Sequence, residues 1–310
     1  MSPLLSVVLP THHPHRGRLD RTLAGLRAQI LAPSHWELVL VDNGSTPPVA
    51  PGAEAHAHTR VVTEPQLGLT HARRAGFAAA AGEFIVLVDD DNVLAPDYLA
   101  QVLALFATHP RVGALGGRSV PEFETPPPPW MREFDGLIAC RDLGPLPQIT
   151  TGLRDPATGH NEYPDCSPIG AGMALRRAAV ATWLAADPGH LTDRRGGDLT
   201  SGGDNDIILT VMRHDWEVAY FPTLQLTHLI PSARTTRDYL ARLNRGIAKS
   251  WVQVLQKHDA NPWPPIAPWT VPLRQTKAFF TQRAWVGPAA FIRWQGACGH
   301  FEGLASLDHS

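Results

Sequence analysis

The chain has 310 residues, with 27 Lys and Arg against 29 Asp and Glu, and its formal net charge is −2. This length allows one large α/β domain or two smaller ones, and the balanced charge argues against nucleic acid as a partner. The three cysteines lack CxxC spacing, which disfavours a disulfide framework or a zinc–thiolate site and fits a reducing cytoplasm.

Strand-like and helix-like segments alternate over residues 4–120. Five apolar runs predict strands at 4–10, 36–42, 59–63, 83–88 and 112–117. The segments between them predict a helix with an apolar stripe of Leu19, Leu23, Leu26 and Ile30, an Ala-rich helix that ends at Gly82, and a helix over 96–110. Such alternation predicts a parallel sheet with helices on both faces, and ligands bind beyond the carboxyl ends of its strands.

The second half of the chain is less regular. Residues 121–168 are rich in Pro, Gly and Asp, which predicts loops. Beyond them the pattern predicts a strand and helix over 170–186, a helix over 202–215, strands at 216–222 and 223–231, and an amphipathic helix over 235–256. We see no signal peptide and no apolar run near the about 18 residues of a membrane span, so we expect a cytoplasmic protein, soluble or peripheral.

Three acids directly follow a buried strand in the stretch FIVLVDDDN: Asp89, Asp90 and Asp91. Adjacent carboxylates repel one another and an unpaired buried carboxylate is costly, so their charge needs compensation. A divalent cation with a bound diphosphate would provide it, because Mg²⁺ and Mn²⁺ prefer carboxylate oxygens. The alternative is that these acids only cap the helix that follows.

Other polar residues lie at the predicted element ends, and each has an ordinary structural interpretation as well as a functional one. Turn, helix-entry or capping roles would explain Thr11, Asp42, Asp204 and Asp206, and a solvated helix face would explain Arg73 and Arg74. His228 is one of 15 histidines and indicates little by itself.

Taken together, the sequence stretches that contain these residues resemble those of the family 2 glycosyltransferases, whose nucleotide-sugar-binding fold is called GT-A. Within residues 5–228 the matching stretches are SVVLPTHH, ELVLVDNGST, QLGLTHARRAG, GEFIVLVDDDNVLAPDYL, GAGMALRR and SGGDNDIILTVMRHDWEVAYFPTLQLTH. The resemblance implies an α/β fold with a mainly parallel, Rossmann-like sheet in a catalytic domain over 1–230. It also implies a loop-rich acceptor region over 121–168 and a C-terminal helical extension over 231–310.

The resemblance assigns a role to each matching residue. It implies that Thr11, Asp42 and Arg73 contact the nucleobase and that Asp89 or Asp90 contacts the ribose. It also implies that the donor sugar lies against Gly170, Ala171 and Gly172. The divalent cation, Mn²⁺ or Mg²⁺, would be held by Asp91, Asp89 and His228, as the resemblance implies. On the acceptor side it makes Asp204 the catalytic base. Two positions depart from the family pattern, because Arg74 replaces an Asn and Gly203 replaces a Glu.

The implied activity is metal-dependent, inverting transfer of a sugar from a nucleoside diphosphate sugar to a hydroxyl of a saccharide or lipid-linked acceptor. The closest resemblance is to bacterial enzymes of exopolysaccharide or surface-glycan biosynthesis. A sugar nucleotidyltransferase is an alternative, although its Gly-rich phosphate loop is missing from PTHHPHRGR. A binding protein on an inactive transferase scaffold is another, suggested by Gly203. A dehydrogenase is disfavoured because no GxGxxG follows any strand.

The C-terminal region interleaves Lys277, Arg283 and Arg293 with Phe and Trp. Aromatic rings with flanking cations suit a membrane interface. The resemblance to enzymes that use lipid-linked acceptors adds to this interpretation, so we expect peripheral contact with the inner face of the membrane that weakens when Trp285, Phe291 and Trp294 become Ala. The alternative is a C-terminal lid packed on the catalytic domain.

Overall fold

The computed structural model describes residues 3–50, 56–150, 152–154, 159, 161–186 and 199–307. Its described strands form one sheet, and they are β1 (Leu5–Thr11), β2 (Trp36–Asp42), β3 (Thr59–Thr63), β4 (Phe84–Leu87), β5 (Asn92–Leu94), β6 (Val112–Phe123), β7 (Gln148–Thr150), β8 (Ala174–Arg176) and β9 (Glu217–Ile230). The described α-helices are α1 (Arg16–Arg27), α2 (Leu69–Ala79), α3 (Tyr98–Thr108), α4 (Arg177–Ala185), α5 (Gly203–Arg213), α6 (Arg237–Lys257), α7 (Val271–Thr281) and α8 (Pro288–Ala305).

The sheet is mostly parallel, in the order β3-β2-β1-β4-β8-β6-β9-β5, and β7 also pairs with β9. Strands β1 to β4, β6 and β9 run in one direction, whereas β5, β7 and β8 run in the other. The predicted run of parallel neighbours is interrupted, because antiparallel β8 separates β4 from β6. In the described part of the chain, loops and the short strand β7, which runs in the same direction as β8, precede it.

Helices cover both faces of the sheet, as the alternation predicts. Neighbouring residues of β1 point to opposite faces, so that Val8 packs with Phe77 of α2 and Ile208 of α5, whereas Leu9 packs with Leu23 of α1 and with α3. These residues are fully buried or nearly so. The two apolar layers hold the sheet edge on which β1, β2 and β4 end, and this edge carries the predicted site.

Two predictions about the helices are wrong. Ile30 is 69% exposed, since α1 ends at Arg27. The Ala-rich helix ends at Ala79, and Gly82 instead allows a close strand approach, because a Cβ there would lie 2.6 Å from the carbonyl carbon of Leu5.

The two strands predicted over 216–231 are one continuous strand, β9. Its pairing with β6 shifts register between Tyr220 and Gln225, close to the predicted junction, and β6 itself extends into the region predicted as loops. That region also contains a 3₁₀ helix at Pro129–Ile138, whereas residues 151, 155–158 and 160 lie outside the described residues.

The C-terminal helices pack on the α/β core and on one another. A Cβ on Gly299 of α8 would lie 2.0 Å from the carbonyl oxygen of Arg245 on α6, so a glycine is needed for this close approach. Val254 and Leu255 of α6 belong to the same apolar layer as α2 and α5. None of the described helices combines the length and the apolar character that crossing a membrane requires.

Candidate active site

A cavity of about 270 Å³ opens where β1 and β4 end. Its lining brings together Thr11, Asn43 and all three acids of the sequence triplet, together with Ala72, His228 and Arg234. Residues from β1, the β2 turn, α2, β9 and the segment before α6 therefore converge at the carboxyl edge of the sheet, which is where α/β proteins bind ligands.

Asp90 is the acid of the triplet that accepts a hydrogen bond from the end of β1. Burial raises the pKa of its carboxyl to about 6, against the hydrogen bond that it accepts from Thr11 Oγ1, and the charges of Asp91 and Asp89 add to the rise. Thr11 thus binds an acid of the triplet directly. The contact joins the end of β1 to the end of β4.

Asp91 lies at the centre of the charged groups. Its Oδ1 is 3.4 Å from His228 Nε2 and its Oδ2 accepts a hydrogen bond of 3.0 Å from Arg234 Nη1. The approach of His228 follows from sheet pairing, because Asn92 of β5 is opposite His228 of β9. Burial opposes the charge of Arg234, but Asp91 holds its pKa above the usual value.

The donor set around Asp91 has the chemistry that a hard divalent cation prefers, a carboxylate beside an imidazole. His228 is buried, and its Nδ1 has no hydrogen-bond partner among the described residues. However, no group of three or more His, Cys, Asp or Glu is arranged to hold a metal ion in the part of the chain that the structure covers. Asp91 and His228 provide two neighbouring groups of this kind.

Asp42 and its neighbour Asn43 have different roles at the end of β2. Asp42 accepts hydrogen bonds from the backbone N–H of Ser45 and of Val49, at 3.0 and 2.9 Å. Burial opposes its charge, but a hydrogen bond from the Ser45 side chain and these two backbone donors keep the pKa of Asp42 below its usual value. Asp42 is absent from the cavity lining, whereas Asn43 is part of it, and the Asn43 Oδ1 accepts from Gly68 N at the start of α2.

Arg73, Gly170 and Asp204 form a contact series beside the cavity. Arg73 follows Ala72 on α2 and is buried, and a Cβ on Gly170 would lie 2.5 Å from its Nη2. The backbone N–H of Gly170 donates to Asp204 Oδ2 at 3.1 Å, and Asn205 N donates to Asp204 Oδ1 at 3.0 Å. Asp204 lies in the first turn of α5, where the helix dipole favours its charge.

The other two residues predicted at the donor sugar, Gly172 and Ala171, contact the apolar core. Gly172 has φ of +75°, and a Cβ there would meet Leu226 and the hydroxyl of Tyr98. That hydroxyl donates to the carbonyl oxygen of Gly172 at 2.6 Å. Ala171 is buried in the layer between the sheet and α3. Tyr98 therefore fixes the backbone of this turn.

Two residues with uncertain roles in the sequence have structural partners. Arg74 donates to the carbonyl oxygens of Trp183 and Leu184, at 2.9 and 2.6 Å, and so satisfies the end of α4. Asp206 accepts from Trp183 Nε1, Lys257 Nζ and His258 Nε2. Burial opposes the charge of Asp206, but these donors hold its pKa below the usual value.

Comparison with known proteins gives the family. The family model described as Glycosyl transferase family 2 matches residues 6–181, more than half of the chain. The chain belongs to glycosyl transferase family 2. This confirms the resemblance drawn from the ordered motifs.

Curated relatives of this family 2 chain match parts of it. The O-antigen biosynthesis protein RfbC of Myxococcus xanthus is 33% identical over 186 residues, which is 51% of this chain and 14% of RfbC. Validoxylamine A glucosyltransferase of Streptomyces hygroscopicus subsp. limoneus is 36% identical over 110 residues, which is 34% of this chain and 24% of that enzyme. The chain thus matches no more than a quarter of the length of either relative.

Solved structures share the fold over nearly the whole chain. TarS 1–349 of S. aureus in complex with UDP aligns over 96% of this chain and 89% of its own, with a TM-score of 0.52 and 13% identity. The mannosyltransferase PcManGT of Pyrobaculum calidifontis, in complex with GDP-Man and Mn²⁺, aligns over 96% and 74%, with a TM-score of 0.56 and 18% identity. The mixed α/β fold of this family 2 chain is therefore that of the GT-A glycosyltransferases.

The sequence reasoning missed two residues of this site, Asn43 and Arg234. Asn43 follows Asp42 in DNGST, and its place at a strand end could have indicated a site residue. An Asn there can both fix a turn and face a ligand. Arg234 had no local signal, since it lies on a 3₁₀ turn 143 residues from its partner Asp91.

Proposed function

We propose that the chain transfers a sugar from a nucleoside diphosphate sugar to a hydroxyl acceptor during glycan biosynthesis. The observation that supports this most is the cavity at the sheet edge, where Asp89, Asp90 and Asp91 meet His228 and Arg234. The complexes of TarS with UDP and of PcManGT with GDP-Man and Mn²⁺ have the same fold and favour a nucleotide sugar as donor.

On the donor side, the residues around Asp91 would bind the diphosphate. Asp91 and His228, with Asp89 beside them, would hold Mn²⁺ or Mg²⁺, which neutralises charge on the departing diphosphate when bound. Arg234 would donate to diphosphate oxygens, because a guanidinium is planar, permanently charged and suited to phosphate. We expect the nucleobase near Thr11, Asp42 and Arg73, with Asn43 of the cavity lining beside Asp42, and the ribose near Asp89 or Asp90.

On the acceptor side, Asp204 would act as the base. As the acceptor oxygen attacks C1 of the sugar, the bond from C1 to the diphosphate oxygen breaks and the acceptor proton passes to the Asp204 carboxylate. Attack from the face opposite the leaving group inverts the anomeric configuration. The backbone N–H of Gly170 orients Asp204 Oδ2, and the Glu that precedes this Asp in the family pattern is Gly203 in this chain.

The family assignment disfavours a nucleotidyltransferase, so the remaining alternative is a binding protein on an inactive scaffold. Incubation with UDP-, GDP- and dTDP-sugars and Mn²⁺ should release nucleoside diphosphate, by transfer or slow hydrolysis, from at least one donor. Release is measured by chromatography, and the same donor should raise Tm by mass action. Stabilisation by a donor without any release, over a broad acceptor panel, would favour the inactive scaffold.

Arg234→Ala is expected to weaken nucleoside diphosphate binding about tenfold, because a charge-assisted contact with phosphate is lost. Arg234→Lys should restore part of the affinity, since it keeps the charge but not the planar fork. Calorimetry with Mn²⁺ present measures both. Arg237→Ala, which removes an exposed arginine outside the cavity lining, serves as the control. Equal affinity in all four proteins would contradict a phosphate role for Arg234.

We extend the proposal to peripheral membrane contact through a surface that we call the tail patch, made of Leu273, Phe280, Trp285 and Val286. All four side chains are more than half exposed. Leu273, Lys277 and Phe280 follow helical spacing on one exposed face of α7, which gives an apolar stripe with a cation within it. The structure separates the predicted aromatic residues, because Phe291 and Trp294 pack inside the tail and Trp294 Nε1 donates to Gln275 O at 3.0 Å.

Wild-type protein is expected to co-sediment with vesicles rich in phosphatidylglycerol, and added salt should release it because the cations contribute. A variant with Leu273, Phe280 and Trp285 changed to Ala should remain mostly in the supernatant. Ile30→Ala with Leu146→Ala removes equally exposed apolar side chains elsewhere and should sediment like the wild type. Wild-type protein wholly in the supernatant at low salt would refute membrane contact.

A further inference from the structure

A second cavity, of about 460 Å³, lies between two segments that the donor site does not use. One wall comes from residues 161–163, within the loop-rich region, and the other from residues 251–263, at the end of α6 and beyond it. Asn161 Nδ2 connects the two walls, since it is 3.5 Å from the carbonyl oxygens of His258 and Asp259. We call this second cavity the aromatic cavity.

The lining of the aromatic cavity combines fixed rings with exposed polar groups. The Trp251 ring is perpendicular to that of Tyr163 at 5.1 Å, and the Trp263 ring is perpendicular to that of His300 at 4.6 Å. These edge-to-face contacts hold the ring planes in place. Glu162 and Asp259 are exposed at the same cavity. Rings that pack against C–H groups, beside carboxylates that accept from hydroxyls, match the two kinds of surface on a sugar.

A short series of contacts connects the aromatic cavity to Asp204. Tyr163 lines the cavity, and its hydroxyl donates to Asn205 Oδ1 at 2.9 Å. Asn205 N donates to Asp204 Oδ1, and on the other side Gly170 N donates to Asp204 Oδ2. Gly170 packs on Arg73, whose neighbour Ala72 lines the donor cavity. This series of contacts therefore connects Asp204 with both cavities, although Asp204 lines neither of them.

We propose that the aromatic cavity binds a saccharide unit of the acceptor. This inference rests on the proposed transferase activity for the word acceptor, but the binding of a sugar at these residues can be tested separately. The cavity places a pyranose ring against Trp251 and Trp263, with its hydroxyls near Glu162 and Asp259. Its position directs the growing end of a glycan toward Asp204.

Saturation-transfer NMR with methyl glycosides of glucose, galactose, mannose, rhamnose and N-acetylglucosamine tests the proposal, with UDP or GDP and Mn²⁺ present. At least one glycoside should bind the wild type. Trp263→Ala should weaken it about tenfold, as expected for loss of an aromatic contact at the centre of a site. Glu162→Gln, which keeps the shape, should cause a smaller loss. Trp269→Ala is the matched control, because Trp269 is 75% exposed and does not line the cavity.

Kinetics separate this site from the donor site. In the variants at Trp263 and Glu162, the KM for a glycan acceptor should rise while the Kd for the nucleoside diphosphate stays constant. Glycoside signals that are unchanged in Trp263→Ala, or absent in a wild type that binds nucleotide, would overturn the proposal and leave the transferase function standing. Glycoside binding that depends on Trp263 in a protein that binds no nucleotide would support the cavity and reject the transferase function.

Discussion

Replacing Asp204 by Asn is expected to lower kcat by about 10²- to 10⁴-fold and to leave the Kd for the nucleoside diphosphate nearly unchanged. A base acts on the acceptor hydroxyl, so its loss affects the transfer step far more than the donor complex. The substitution is nearly isosteric, and an Asn oxygen can still accept from Gly170 N and keep the local fold. Transfer is measured at saturating donor and acceptor, and donor affinity by calorimetry.

The matched control is Asp206→Asn, two residues further along the same helix. Its carboxylate accepts from Trp183, Lys257 and His258 and is buried, so this change should lower the free energy of unfolding by about 1–3 kcal/mol. The folded Asp206→Asn protein should keep its turnover. If Asp204→Asn retained more than about a tenth of the wild-type turnover, Asp204 would serve only to cap α5 and the base would lie elsewhere.

Removing divalent cations is expected to abolish measurable binding of the nucleoside diphosphate. One guanidinium, that of Arg234, faces three carboxylates in the cavity, so the site is negatively charged and would repel a diphosphate without a further cation. Calorimetry with UDP, GDP and dTDP, in Mn²⁺ and in EDTA, measures the effect. Equal affinity in EDTA would reject a metal bridge and would leave Arg234 as the principal phosphate contact.

Asp91→Asn distinguishes a metal ligand from a structural acid. It should raise the Mn²⁺ concentration needed for nucleotide binding, because a carboxylate ligand of the cation is lost. Mn²⁺ titration followed by nucleotide-dependent change in Tm gives a readout that does not require activity. Asp142→Asn, which removes a carboxylate that pairs with Arg118 and is absent from the cavity lining, should behave like the wild type.

The acid triplet and its strand could be predicted from local sequence. An apolar run followed by Asp89, Asp90 and Asp91 can end only at the edge of a sheet, because the acids cannot enter the core unpaired. The family and the GT-A fold could also be predicted, from the resemblance that the ordered motifs carry. Which residues meet the acids could not be predicted, since this depends on the pairing of β5 with β9, two segments far apart in sequence.

The two acids of SGGDNDI also differ in a way that the sequence could not predict and that the tertiary structure decides. The sequence places Asp204 and Asp206 at the start of one helix, and the resemblance makes Asp204 the base. The structure separates them, because successive helix positions point in different directions. Asp206 contacts Lys257 and His258, which come from the end of α6, whereas Asp204 accepts a hydrogen bond from the backbone N–H of Gly170.

By itself the sequence determined the apolar layers, most of the strands, the acid triplet and the family, because each depends on periodicity or on order along the chain. Only the tertiary structure decided the antiparallel insertion of β8, the contact of Arg234 with Asp91, and the joining of residues 161–163 with 251–263 around the aromatic cavity. Such contacts depend on register and packing between distant segments. The type of each residue in these contacts does not indicate which distant residue it will contact in the folded protein.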